Sequence, residues 1–519
     1  MANATKVIIS NGGALKAKYG IQFPTIQNAI NAWILADSAR GITSTYVAVD
    51  DLATMARCGG VPAVVGDEKS HKDAVDAVYK SAIPDYVVLL GAPDIIPHIS
   101  LNNPTYNPSQ PSDDPDTIVP SDIPYAVDAP YSTAPEDFIG PTRVVTRLPD
   151  IQGANDPDYI VKLIDFAKAA AATTRQAYST PYLGVSASVW TGSTSLSLSA
   201  VFGSAAALQN VPPATYNWLP SQLSALSHFF NCHGASNDSH YYGQAGESYP
   251  IAQDAAYINA KIQVGTVLSA ECCYGAQLYD PSIVAGQMGI ANTYLDNGAF
   301  AVWGSTTIAY GPSSTNGQAD LICQYFLQEI LNGNSIGTAA LSARQRFASS
   351  SPTLSSSDLK TLVQFICLGD ASVRCVNDAA ASGTKSIPPS FSLGETVSGW
   401  NLQARRAASM EEGRMLSLFK RRATTKEVVR PADTEAVLLR VAAEYGVKAP
   451  SITSKEVFEP SGPKLFEAMP NVLVQSQEVQ TFHLIFEHLP DGEDFIRRRM
   501  LEVGESGGRI VMIRELFSH

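Results

Sequence analysis

The sequence predicts an α/β protein built on a mainly parallel sheet flanked by helices, with a small mixed domain after it. Three observations carry that expectation. Short apolar runs rich in Val, Ile, Phe and Tyr recur up to about residue 375, among them "KVIIS", "TYVAV", "DYVVLLG", "SASVW", "SHFFNC", "GTVLSA", "AFAVWG" and "LVQFICLG". Each has the length and composition of a buried strand. Longer stretches with helical spacing separate them, such as "TIQNAINAWILADSARG", "DPDYIVKLIDFAKAAAATTRQA" and "NGQADLICQYFLQEILNGN". Strands alternating with helices give a parallel sheet covered on both faces. After residue 376 the alternation stops and the text turns polar, then charged.

In chain order, residues 1–150 form a first α/β subdomain. Within it, "NNPTYNPSQPSDDPDTIVPSDIPY" is too rich in Pro and Asp for a regular element. It reads as a long surface loop, a length more often functional than idle. Residues 151–376 form a second subdomain, and "NDAAASGTKSIPPSFSLGE" marks a linker over 377–400. Residues 401–519 form the small mixed α/β domain. Its "QARRAASMEEGRM" and "LFKRRATTKE" segments are expected in an exposed helix or linker, the usual setting of such charge runs. No internal repeat is visible.

Composition narrows the function classes. A chain of 519 residues, 45% hydrophobic and 16% charged, suits a large core and more than one domain. The net charge of −13 is concentrated: residues 1–400 carry 19 Lys and Arg against 32 Asp and Glu, and residues 401–519 carry 17 of each. An acidic body of this kind argues against nucleic acid as a partner. No apolar run reaches membrane-spanning length and "MANATKVIISNGG" has no export pattern, so a cytoplasmic protein without a membrane partner is expected. The seven cysteines are odd in number and show no CxxC spacing. Neither a disulfide framework nor a zinc site follows, and a reducing compartment fits.

Two strand ends carry chemistry. "SHFFNCHGAS" ends at His233 and Gly234, and "VLSAECCYG" ends at Cys272 and Cys273 before Gly275. In a doubly wound sheet both ends open onto one edge, where ligands bind. An imidazole facing a thiol there shifts it toward thiolate and later protonates a leaving amine. Gly234 and Gly275 let main chain approach a substrate, and their amides are candidates to receive an oxyanion. Taken singly these signals also fit a packed thiol, a vicinal redox couple or a metal site with Cys232.

The same blocks resemble the gingipain-type cysteine peptidases, of the caspase-like clan that includes legumain, separase and clostripain. From about residue 5 to 375, "DYVVLLGAPDIIPHI", "VPSDIPYA", "DFIGPTRVVTRLPD", "FFNCHGA", "VLSAECCYGA", "AVWGSTTIAYGPSS" and "FICLGDASVRC" follow one another in the order of that family's motifs. Thr146 and Ala371 depart from it where the family has Gly and Pro. The resemblance implies a caspase-like fold, peptide-bond hydrolysis through a Cys-His dyad with His233, and protein or peptide substrates. It implies no cofactor and no catalytic metal; a structural calcium ion in the Pro/Asp loop is left open. The gingipain, legumain and separase spacing selects Cys272 as nucleophile, with Cys273 packing beside it; the caspase spacing selects Cys273.

By the same resemblance Asp122, in "SDIPYA", would hold a substrate Arg or Lys; the alternative is an Asp that caps its own turn. Arg405, Arg406, Lys420, Arg421 and Arg422 would then be sites of activating self-cleavage. The C-terminal domain would be regulatory or bind a regulatory protein. The alternative is a caspase-like scaffold whose dyad is unused and whose C-terminal domain does the binding.

Overall fold

The computed structural model describes residues 4–377, 402–458, 479–487 and 498–519. Ten strands form one sheet in the order β2 (Ile42–Ala48), β1 (Ala4–Ser10), β3 (Tyr86–Leu90), β6 (Val145–Leu148), β17 (Phe365–Leu368), β14 (Ala301–Ser305), β13 (Val267–Glu271), β9 (Ser227–Asn231), β7 (Leu183–Ala187) and β8 (Leu208–Val211). Every residue of β3, β9, β13 and β14 is buried. Helices cover both faces, as the unbroken apolar runs require.

Neighbouring strands are parallel with one exception. β17 is parallel to β6 but antiparallel to β14. The two halves of the sheet therefore run in opposite directions, and the carboxyl ends of β9, β13 and β14 share one edge. β6 and β17 touch through a single register pair, Leu368 with Arg147.

Two strand boundaries differ from expectation. "SASVW" is strand only to Ala187, and Ser188–Trp190 is a turn of 3-10 helix. In "LVQFICLG" the first three residues end the helix Ser356–Gln364, which begins with Ser355 and Asp358 capping one another. A cap upstream extends the helix into the apolar run.

The Pro/Asp loop is more than a surface excursion. Its ends pair as β4 (Ile99–Asn102) and β5 (Ile118–Ser121), and Asn103, Thr105, Asp113 and Asp114 are buried. Lys360 Nζ binds Asp114 at 2.5 Å and lies 3.8 Å from Asp116. A smaller antiparallel sheet, β10 (His233–Gly234), β11 (His240–Tyr242) and β12 (Ile251–Asp254), continues directly from β9.

A separate seven-stranded sheet has the order β15 (Tyr310–Gly311), β22 (Arg509–Ser518), β21 (Arg499–Ser506), β20 (Thr481–Phe486), β19 (Ser451–Phe458), β18 (Arg421–Glu427) and β16 (Thr353–Leu354). Its two edge strands, β15 and β16, come from the body that carries the ten-stranded sheet. The C-terminal strands thus span the body like a panel fixed on both sides. β21 and β22 form a hairpin whose turn, Gly507–Gly508, has φ of 55° and 76°, the left-handed pair that glycine accepts without strain. Leu438, Val441 and Ala442 of the helix Ala432–Glu444 pack on Ile485, Leu501 and Val503 of this sheet.

"LFKRRATTKE" is neither an exposed helix nor a linker. The helix Leu402–Phe419 ends and Arg421–Glu427 forms β18. Arg422 is buried over the Phe458 ring at 4.6 Å, and burial lowers the Lys420 ammonium to about 8. Arg406 lies 3.5 Å from Asp85. Paired strands do not offer the extended chain a peptidase needs, which removes 421 and 422 as ready cleavage sites. Of the expected linker 377–400, all but Asn377 lies outside the described residues.

Candidate active site

β9 and β13 lie side by side in parallel register, Ser227 opposite Val267 and Asn231 opposite Glu271. Two residues past the last pair of this ladder stand His233, which begins β10, and Cys273, which lies in the turn after β13. The two thiols part in that turn and meet different surroundings. Cys272 is fully buried in the main core with its Sγ 3.8 Å from the Phe230 carbonyl oxygen. Burial pushes its thiol well up, the neighbouring Cys232 adding to the effect.

Cys273 stands at the junction with the C-terminal sheet. The Ala309 amide donates to its Sγ at 3.3 Å, and the residue packs with Ile308, Tyr310, Leu484, Phe486, Met500 and Leu516. That cover raises the thiol to about 12, and the Ala309 hydrogen bond works against it. The turn after Cys273 is held rigidly: Gly275 N–H donates to Cys272 O at 3.0 Å, and Tyr274 has φ of 55°. A tyrosine in that region is strained and needs external support. Asp116 supplies it, accepting from Tyr274 Oη at 2.7 Å and from the Ile308 amide at 2.9 Å. The Pro/Asp loop therefore braces the cysteine turn.

His233 is buried, with Nε2 2.9 Å from Gln244 Oε1. Gln244 Nε2 donates to Gly246 O and to Tyr249 Oη, which leaves Oε1 as an acceptor. The imidazole proton therefore sits on Nε2, and Nδ1 is the basic nitrogen. The ring packs against Trp190 at 4.4 Å and Tyr249 at 5.3 Å between centroids. Gly234 lies directly on the cysteine turn, since a Cβ there would stand 1.9 Å from Cys273 O.

A pocket opens beside these groups. Glu271 and Asp320 lie together at 0% exposure, close enough to share a proton in a hydrogen bond with each other, and among the described residues no other donor reaches either oxygen of Glu271 or Oδ2 of Asp320. Burial, reinforced for Glu271 by the neighbouring Asp320, pushes both carboxyls up. Asn231 Nδ2 reaches Asp320 Oδ1 at 3.5 Å, and Trp190 forms a wall. The occupant is His519. Its Nδ1 is 2.7 Å from Asn231 Oδ1 and 3.9 Å from Glu271 Oε1, and its ring packs on Trp190 at 4.2 Å. Burial lowers this imidazole to about 3. A Cβ on Gly311 would meet His519 Nε2 at 2.4 Å, so only glycine leaves the pocket this width.

Several sequence expectations find different places. Asp122 is buried with both oxygens taken, Oδ1 by Arg147 Nη2 at 2.6 Å and by His98 Nδ1 at 2.8 Å, Oδ2 by Arg147 Nε at 2.9 Å. Although burial opposes ionisation, these two partners hold its carboxyl well below the usual range. Its charge is answered within the fold, by Arg147 and His98. The Gly275 amide is likewise spent on Cys272 O, and the Cys273 amide donates to His519 O at 2.8 Å. Cys272, the thiol selected by the gingipain spacing, is turned into the core. Lys360 already answers Asp114 and Asp116, where calcium was left open, and among the described residues no group of three or more His, Cys, Asp or Glu is arranged to hold a metal.

Glu271, Asp320, Asn231, Gln244 and Asp116 are the site residues that sequence reasoning passed over. Glu271 alone had a local signal, its place at the end of the apolar run just before the two cysteines.

Comparison with known proteins gives the frame. The profile of "Peptidase family C25" matches residues 7–376. No curated protein matches the chain. A solved structure titled "Structure of Protease" is similar at a TM-score of 0.46 and 12% identity, over 99% of this chain and 96% of that one.

Proposed function

Because the chain belongs to peptidase family C25, the gingipain family of cysteine peptidases, we propose that it is an endopeptidase in which Cys273 attacks and His233 is its general base. The family establishes a cysteine-type peptidase acting on protein or peptide substrates. The close approach of the His233–Gly234 segment to the cysteine turn supports this reading, a Cβ on Gly234 standing 1.9 Å from Cys273 O, while Cys272 Sγ faces the Phe230 carbonyl in the core.

In this reading His233 Nδ1 takes the Cys273 thiol proton as Sγ bonds to the substrate carbonyl carbon. The carbonyl electron pair moves onto oxygen, which the Cys273 amide receives. Collapse breaks the C–N bond and His233 returns its proton to the amine; water then hydrolyses the thioester with His233 again as base. Gln244 is a positioning residue, holding the tautomer in which Nδ1 is the basic nitrogen. Seven free cysteines support a reducing, cytoplasmic setting, and among the described residues no helix is long and apolar enough to cross a membrane.

The experiment is a pair of variants read by fluorogenic peptide turnover and by mapping the adduct of a thiol-reactive peptide probe. Cys273→Ala is expected to abolish both, and Cys272→Ala to keep activity within a few fold. An adduct on Cys272 would overturn the assignment. Absence of turnover and of any adduct, under conditions that open the cleft, would favour the scaffold reading.

A further inference from the structure

The end of β22 lies as a bound peptide would lie. It runs antiparallel to β15, with Ser518 opposite Tyr310 and Phe517 opposite Gly311. His519 N–H donates to Ala309 O at 3.0 Å, and His519 O accepts from the Cys273 amide at 2.8 Å. A peptide presented for attack needs three things: main-chain pairing along an edge, its carbonyl on the oxyanion donor, and the side chain of that residue in a selective pocket. Residues 517–519 meet all three, the pocket being that of Glu271 and Asp320.

We propose that Glu271 and Asp320 are the specificity-determining residues of the cleft, selecting a cationic side chain or imidazole. We further propose that residues 517–519 occupy the cleft as an intramolecular substrate analogue, so that the C-terminal sheet holds the enzyme closed. This rests on the peptidase reading above. Two buried acids that meet each other, and that no other donor reaches at Glu271 or at Oδ2 of Asp320 among the described residues, form a site that a positive group from outside would relieve. Among the described residues neither pairs with a Lys or Arg, and the Trp190 face adds attraction for a cation. The same strand carries Leu516, which with Leu484, Phe486 and Met500 seals Cys273. No peptide can pair with β15 while β22 does. Release of β22 would free pocket, edge and thiol together, and removing the apolar cover would lower the thiol toward its working range.

The test uses the full chain with His519→Asp and His519→Lys. Three readings are taken: the rate of iodoacetamide labelling at Cys273 by peptide mapping, amide exchange across residues 509–519, and turnover of peptides with Arg, Lys, His or Leu before the cleaved bond. His519→Asp sets a third acid against Glu271 and Asp320. It is expected to raise labelling at least tenfold, speed exchange, and raise turnover of basic peptides over Leu peptides. His519→Lys is expected to stay within twofold of wild type. Equal labelling and exchange in all three proteins would overturn the proposal, as would equal opening by Asp and Lys. If labelling and exchange rise while no peptide is cut, the plug stands and the peptidase reading falls. If wild type cleaves at the rate of His519→Asp, the peptidase stands and the plug falls. Should His519→Asp fail to fold, His519→Ala is read in the same way, with opening expected and wild-type labelling and exchange overturning the plug.

Discussion

Asp122 and the Glu271–Asp320 pair are both buried acid sites, yet the fold treats them in opposite ways. Asp122 is met by the Arg147 guanidinium and by His98, and Arg147 itself is fixed to the carbonyls of Gly91 and Ile96. Every strong acceptor and donor in that cluster is answered from within the body. Glu271 and Asp320 receive no such cation, and the group that approaches them, His519, arrives on a strand of another sheet. An acid with its own guanidinium is part of the frame. An acid pair that no lysine or arginine among the described residues answers is where we propose a binding site.

The largest way to break this contrast is Asp122→Asn. It leaves a buried guanidinium without its counter-ion and is expected to cost about 3–5 kcal/mol of stability, measured by urea unfolding. Preference among peptides should stay as in wild type. A loss of basic preference with stability intact would exchange the roles of the two sites.

Glu271→Gln should do the reverse. In a chain opened by His519→Asp, the ratio of kcat/KM for Arg or Lys peptides over Leu peptides is expected to fall about 30-fold, or about 2 kcal/mol, while unfolding stability holds or rises. An unchanged ratio would remove Glu271 from the pocket's selectivity.

The smallest effect is a pH slope. Burial raises the Asp320 carboxyl above the ordinary aspartate value of 3.8, so the folded chain keeps a proton that the unfolded chain has lost. The stability that this proton brings is complete below 3.8 and declines as pH rises through the raised value, at up to about 1.4 kcal/mol per pH unit. Asp320→Asn should flatten that part of the profile in unfolding curves taken from pH 4 to 7. A profile as steep as wild type would show that Asp320 is not the group titrating.

Much of the site was legible because it is local. An apolar run ending in His-Gly and another ending in Cys before Gly both mark strand ends, whatever their neighbours do. Which of the two thiols looks into the cleft was not local. It depended on which face of β13 meets the main core, and therefore on packing by Phe230 and Tyr241 on one side and by the C-terminal sheet on the other. The Pro/Asp loop was recognisable by composition, whereas its task of bracing Tyr274 through Asp116 spans 158 positions.

By itself the sequence determined the alternating strands and helices, the two reactive strand ends and a change of character after residue 376, because propensity, period and turn chemistry act within a few residues. Only the tertiary structure decided what answers each buried charge. Arg147 reaches Asp122 across 25 positions and His519 reaches Asn231 across 288. Desolvation makes every unpaired buried acid costly, but the partner that relieves it is chosen by proximity in space, which the order of residues along the chain does not spell out.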